Sequence, residues 1–182
     1  FNQIENYKKN KNKKITIDKM PLNLVHVGEI LRFFPNAKFI LALRHPYDCV
    51  LSCFMQNFML NHAMANFLNL DDTLKLYDLT MSLWKRYTNV FTIDHHLIRY
   101  EDVVSNFKKI IGDLLKFLNV KWSDNVIEFY KTAEKRGIIN TPSYNQVSQP
   151  IYSNSMYRWK NYEKEFSKSN ISLENWVKEF NY

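Results

Sequence analysis

The stretch KFILALRHPYDCVLSCF at 38–54 constrains the fold of this chain more than any other. Lys38 is followed by Phe39-Ile40-Leu41-Ala42-Leu43, five residues apolar on both faces, the pattern of a parallel strand covered by helices on each side. Arg44 then leaves the carboxyl end of that strand. Pro46 suits a first helical turn, where its missing N–H would be unpaired anyway, and Asp48 in that turn complements the helix dipole. Ser52 falls about two turns into the helix, about 9 Å along its axis. An arginine side chain folds over that distance, so Arg44 and Ser52 are placed to grip one phosphate from two sides. Strand-to-helix junctions are where α/β proteins hold phosphates. The same spacing also allows Arg44 to pair with Asp48, and Ser52 to bond back into its own helix.

The flanking sequence repeats the alternation of strand and helix. Ile15-Thr16-Ile17-Asp18 is a short β-type run leading into Lys19-Met20-Pro21-Leu22-Asn23, and a helix carrying Val25, Val27, Ile30, Leu31 and Phe34 follows, closed by Pro35-Asn36. Residues 71–88 place Leu74, Leu76, Leu79, Leu83 and Trp84 at largely helical spacing behind Asp71-Asp72. The run HHLIRY reads as a third strand with Tyr100-Glu101-Asp102 at its exit. Residues 106–118 form a further helix, and Ser123-Asp124 opens another through Tyr130. From Arg136 the sequence turns polar and aromatic without a clean period, which predicts a long structured loop of the kind that is usually functional. A last helix at 172–180 carries Leu173, Trp176, Val177 and Phe180. The whole reads as one α/β domain over 1–182, with only three glycines and five prolines to interrupt its helices.

Charge narrows the partners. The net charge is +7, but Lys8, Lys9, Lys11, Lys13 and Lys14 crowd one polar stretch, a lysine-rich loop at 1–14, and without them the balance is +2. The body is thus not conspicuously basic, and its aromatics are dispersed, so nucleic acid is not the expected partner. No apolar run approaches 18 residues and no signal peptide is visible, so no membrane span is expected and the chain reads as soluble and cytoplasmic. Cys49 and Cys53, four apart without further ligands at metal spacing, read as reduced core residues. No metal is expected.

Lys19 with Asn23, Arg44 with Ser52, and Arg99-Tyr100 follow the three β-type runs, so in a parallel sheet they converge at one carboxyl edge. Lysine supplies a point charge to a transferring oxygen, arginine a bidentate grip, and tyrosine a ring edge or hydroxyl against a base. Each also has a plain structural reading: Lys19 solvated, Tyr100 packed with its hydroxyl outward, Arg158 stacked on an aromatic ring. Four segments in this order and spacing, IDKMPLN (17–23), FPNAKFILALRHPYDCVLSCF (34–54), IRYEDVV (98–104) and TPSYNQVSQPIY with RWKNY (141–152 and 158–162), resemble the sulfotransferases that use 3′-phosphoadenylyl sulfate. The likeness is nearest to the bacterial branch often fused to tetratricopeptide repeats and related to protein-tyrosine sulfotransferases. It implies a P-loop-kinase-like parallel sheet flanked by helices. It implies that Arg44 and Ser52 bind the 3′-phosphate, that Tyr100 sits at the adenine, and that Lys19 approaches the sulfonate with Ser143 nearby. The loop at 136–162, with Gln146, Tyr152, Arg158 and Lys160, would cover the nucleotide, Arg158 and Lys160 near its phosphates. The reaction implied is in-line attack of an acceptor hydroxyl, on a peptide tyrosine, a sugar or a lipid, with 3′,5′-bisphosphate (PAP) leaving.

The sequence also departs from that family. A P-loop variant of the type P-R-S-G-T-T is absent, and Gly28, Gly112 and Gly137 lie in no such context. Phe1 opens the chain and the first motif follows within 20 residues, so the expectation is an N-terminally incomplete domain, the C-terminal part of a longer protein that carries tetratricopeptide repeats ahead of it. In the tyrosine-sulfotransferase branch the glutamate base lies in that region too. The small-molecule branch places a histidine two residues after the strand lysine, and that position is Pro21 here. His45, beside Arg44, reads as structural, so no residue is assigned as base. The segment at 57–70, rich in Phe, Met and Asn, is the expected acceptor-side loop. Two rivals share these observations: a catalytically inactive nucleotide-binding remnant, and a binding module acting through the basic N-terminal arm.

Overall fold

Two of the three expected strands pair in the computed structural model, which describes residues 15–130, 151 and 153–182. Strand β1 (Phe39–Leu43) and strand β2 (His95–Arg99) run parallel, with Phe39 opposite His95 and Leu43 opposite Arg99. The run at 15–18 is a correction. It makes no ladder, and Ile15 and Ile17 stand 46% and 72% exposed. β-Branched composition suits a pleated surface but supplies no partner edge, and these residues pair with neither strand. Only two of the three motif-bearing segments therefore share a carboxyl edge.

Before the sheet, a 3₁₀ turn (Pro21–His26) runs into helix α1 (Val27–Phe33). Gly28 lets α1 lie close to a neighbour, since a Cβ there would meet the Tyr87 ring at 3.1 Å. After β1 comes helix α2 (Pro46–Phe54), then a 3₁₀ turn (Met64–Leu68) and helix α3 (Leu70–Val90). Asn69 caps α3 by accepting from the Asp71 and Asp72 amides at 2.8 and 3.4 Å, which is why the chain turns helical there. The buried face of α3 is Thr73, Leu74, Tyr77, Met81 and Trp84, whereas Leu79, expected on it, is 57% exposed. Trp84 packs on Phe39 and His95, covering one face of the sheet.

Helix α4 (Tyr100–Ser105) and helix α5 (Phe107–Phe117) follow β2, and Phe117 stacks on His96 at 5.3 Å to cover part of the opposite face. The expected helix over 123–130 opens instead as a 3₁₀ turn (Asp124–Val126), with α-helical geometry only at Phe129 and Tyr130; Ser123 makes no side-chain cap, and the Trp122 indole donates to the Asp124 carboxylate at 3.1 Å. A 3₁₀ turn (Arg158–Tyr162), helix α6 (Glu163–Phe166) and helix α7 (Glu174–Glu179) close the chain. Among the described residues, no helix is long and apolar enough to cross a membrane.

The core lies where α2 and α3 meet the C-terminal segment, with Val50, Leu74, Leu173 and Trp176 nearly or fully buried. Arg99 fastens that segment to the end of β2. Its Nε donates to Asp102 at 2.6 Å, and Nη1 donates to the Phe180 and Asn181 carbonyls at 3.2 and 2.6 Å. The hydrogen bond to the Asp102 carboxylate raises the Arg99 pKa above its ordinary value, so the tie stays charged. Arg99→Ala is expected to cost about 1–2 kcal/mol of stability, the lower part of the range for bonds to charged groups because the pair is partly solvated. Urea unfolding of the variant checks this, and a midpoint equal to wild type would refute it.

Candidate functional site

The turn between β1 and α2 is held from below. His45 donates its backbone N–H to the Glu101 carboxylate at 3.0 Å, and Glu101 is itself buried at the start of α4. The carboxyl ends of both strands are thereby locked together, so the side chains leaving β1 are fixed relative to α4. Burial first pushes the Tyr77 and Tyr182 hydroxyls far above the usual tyrosine range, with Cys49 and then Glu101 adding to it at Tyr77 and Glu101 at Tyr182, so both are protonated.

His45 is enclosed by rings. Trp159 stacks on it at 5.1 Å, Tyr47 at 6.1 Å, and Tyr157 and Tyr182 meet it edge-on at 5.6 and 5.2 Å. Burial lowers its pKa below 6.5, outweighing Asp48 and Glu101, which pull the other way. The folded state therefore binds the His45 proton less well than the unfolded chain. Its contribution to stability is full above about pH 6.5 and is lost as pH falls through the lower folded value. Unfolding midpoints measured stepwise below pH 7 should decline in wild type, and His45→Phe, which keeps the stacking, should flatten that decline. Parallel pH curves would dismiss the effect.

Arg44 emerges from β1 and bends over the first turns of α2. Its guanidinium donates to the Ser155 carbonyl, stands 4.0 Å from the Asp48 carboxylate, and lies 5.7 Å over the Tyr100 ring. Beside it opens a polar cavity of about 200 Å³ lined by Arg44, Asp48, Leu51, Ser52, Met55, Gln56 and Arg158. The pairing of Arg44 with Asp48 and its facing of Ser52 thus occur together, so the two readings of the sequence do not exclude one another. Ser52 differs from three other hydroxyls on helices. Thr73, Thr80 and Ser105 each bond to the carbonyl four residues earlier, at 2.7, 2.6 and 2.8 Å. No such bond ties Ser52 to its helix, and its hydroxyl stands free at the cavity wall among the described residues.

A second cavity, about 280 Å³, lies beneath β2 and α7. Its wall carries Asp102, Asp113 and Glu179, and its arginine, Arg99, is spent on Asp102 and two carbonyls. A site with three carboxylates and an occupied cation repels an anion. The smaller cavity, with two guanidinium groups and a free hydroxyl against one carboxylate, is the one whose chemistry fits a phosphate.

The expected site residues therefore divide. Arg44, Ser52 and Arg158 line one cavity, and Tyr100 touches it through the Arg44 guanidinium. Lys160, two residues on from Arg158, stands 5.2 Å over the Tyr157 ring and is not among the residues lining the cavity. Lys19 sits exposed in the segment before the first 3₁₀ turn and is not among the residues lining the cavity. Ser143, Gln146 and Tyr152 lie outside the described residues. Arg99, grouped with Tyr100 by sequence, points instead to the C-terminal tie. Among the described residues, no three His, Cys, Asp or Glu side chains are placed to hold a metal ion. Cys49 and Cys53 are free thiols, half-buried on α2.

Two residues gain a role that spacing alone did not show. Asp48, fully buried, accepts from the Tyr157 amide at 2.5 Å and the Trp159 amide at 2.9 Å, and Glu101 holds the His45 amide. Their partners are backbone groups more than 50 residues distant, which leave no trace in a spacing pattern. Met55 and Gln56 form the rim, so the segment at 57–70 departs from the cavity edge, with Met59 and Leu60 90% and 64% exposed.

Comparison with known proteins gives a family match and curated relatives. Residues 2–124 match the model described as "Sulfotransferase family". A protein of Aquifex aeolicus (strain VF5), described as an uncharacterized protein, is 32% identical over 152 residues, covering 81% of this chain and 19% of that one. Protein-tyrosine sulfotransferase 1 of Danio rerio is 28% identical over 153 residues, covering 78% of this chain and 41% of its own length. The chain thus spans about a fifth and about two fifths of these curated relatives.

Proposed function

This chain belongs to the sulfotransferase family, and from that premise we propose that it takes part in sulfonate transfer from 3′-phosphoadenylyl sulfate to an acceptor hydroxyl. The observation that carries the reading is the convergence of Arg44, Ser52 and Arg158 on one polar cavity at the exit of β1. In this reading the two guanidinium groups and the Ser52 hydroxyl hold the 3′-phosphate. Tyr100, braced by Arg44, offers its ring to the adenine, and Lys160, over the Tyr157 ring, supplies a further positive charge for the phosphates from outside the cavity lining.

The nucleotide supplies the activated sulfonate. The chain's own groups bind and orient it, with Lys19 and Ser143 as the donors to the charge that builds on the sulfonate oxygens, by analogy with phosphoryl transfer. Preorganised cations are worth more here than in bulk water, because Asp48 and Leu51 on the same cavity wall are buried. The acceptor is a hydroxyl compound, and the segment at 57–70 that leaves the cavity rim is the proposed surface for it.

A second reading, a site that holds bisphosphate without transfer, is favoured by one observation: Lys19 is not among the residues lining the cavity. Calorimetry with adenosine 3′,5′-bisphosphate tests the shared part. Binding that Arg44→Ala weakens places the 3′-phosphate at β1, and sulfonate transfer from labelled donor then separates the two readings. A folded protein that binds no bisphosphate would overturn both.

A further inference from the structure

A carboxylate is an unexpected wall for an anion site, and Asp48 is completely buried in this one. Its two oxygens are both committed. Oδ2 accepts from the Tyr157 amide at 2.5 Å and Oδ1 from the Trp159 amide at 2.9 Å. These are the amides immediately before and after Arg158, so the backbone at Arg158 is clamped on both sides to the first turn of α2. The turn requires such a clamp. Tyr157 has φ 55°, in the left-handed region that side chains other than glycine seldom adopt. The Arg44 guanidinium, 4.0 Å from Asp48 and bonded to the Ser155 carbonyl, braces the same segment from the other side.

We propose that Asp48 is a positioning residue for the phosphate cavity: it fixes the backbone on both sides of Arg158 and so sets that guanidinium opposite Arg44 and Ser52. The role rests on reading the cavity as the 3′-phosphate site. It makes a prediction of sign. If Asp48 acted only through its charge, removing that charge from an anion site would tighten binding. If it acts through the clamp, removal loosens binding, because an asparagine keeps one acceptor but presents an N–H to the second amide.

The test is calorimetry of adenosine 3′,5′-bisphosphate with the full chain in four forms: wild type, Asp48→Asn, Arg158→Ala and the double variant. Asp48→Asn should weaken binding about tenfold in the wild-type background and less than about twofold when Arg158 is already alanine. Equal losses in both backgrounds, or tighter binding by Asp48→Asn, would overturn the role. A merely structural aspartate shifts the melting temperature but leaves the two losses equal. If Asp48→Asn does not fold, hydrogen exchange of the wild type decides: slow exchange at the Tyr157 and Trp159 amides supports the clamp, and rates of an open loop refute it. No binding by the folded wild type would instead remove the phosphate reading itself.

Discussion

Tyr47→Ala should unfold with about 3–5 kcal/mol less free energy than wild type, the range for deleting a large buried ring. Tyr47 stands on α2, is 7% exposed, and joins that helix to the C-terminal segment in two ways. Its ring stacks on Trp159 at 4.9 Å and meets Phe166 edge-on at 5.0 Å. Its hydroxyl accepts from the Leu173 amide at 3.1 Å, and Leu173 is wholly buried. Alanine would open a hole bounded by Trp159 and Phe166 of the C-terminal segment and by His45 at the start of α2, which cannot all move in to close it. In a chain of this size the loss corresponds to a fall of about 6–20 °C in melting temperature. Tyr47→Phe separates the two contributions. It keeps the stacking and strands one buried N–H, at a cost of about 1–3 kcal/mol. Denaturant unfolding of the two variants provides the measurement, and a Tyr47→Ala protein within about 1 kcal/mol of wild type would show that the C-terminal segment is not part of the cooperative core.

How much of this was legible beforehand depends on the range of the interactions. Strand β1 and helix α2 are written locally, in a five-residue apolar run and a proline, and both form, but only one face of β1 is covered as expected: Leu41 and Leu43 are buried, whereas Ile40 and Ala42 on the other face are exposed. The start of α3 is equally local, since Asn69 caps it and Asp71 and Asp72 occupy its first turn. The proximity of Arg44 and Ser52 follows from helical rise and side-chain length, and both line one cavity. Arg158 is different, because nothing in its own surroundings points to β1, and only the family resemblance brought it there. The failures also have a physical cause. Ile15 and Ile17 have strand composition, but a ladder needs a neighbouring edge, which composition cannot report. Leu79 fits an apolar stripe, but the buried face of α3 is decided by where Tyr77, Met81 and Trp84 find partners. Arg99 was grouped with Tyr100 because they are adjacent, whereas Arg99 ends β2 facing the C-terminal segment and Tyr100 begins α4 beneath Arg44.

Arg44→Ala should weaken adenosine 3′,5′-bisphosphate binding by about 1.5–3 kcal/mol, or roughly 10- to 150-fold, the scale of hydrogen bonds to a charged group. This one guanidinium faces the cavity while also holding the Ser155 carbonyl, balancing the buried Asp48 and bracing Tyr100. Alanine removes the cation and leaves the Asp48 charge to dominate that wall, so the loss in affinity includes repulsion as well as missing bonds. Arg44→Lys tells these parts apart. An ammonium restores the charge beside Asp48 but has no planar fork to serve the carbonyl, the ring and the phosphate together. Lysine should therefore recover the electrostatic part and leave most of the geometric loss, placing its affinity between the other two and nearer alanine. Full recovery by lysine would mean that the site reads charge alone, and the arrangement around Arg44 would then be a matter of packing. Equal binding by wild type and Arg44→Ala would put the 3′-phosphate elsewhere in the protein.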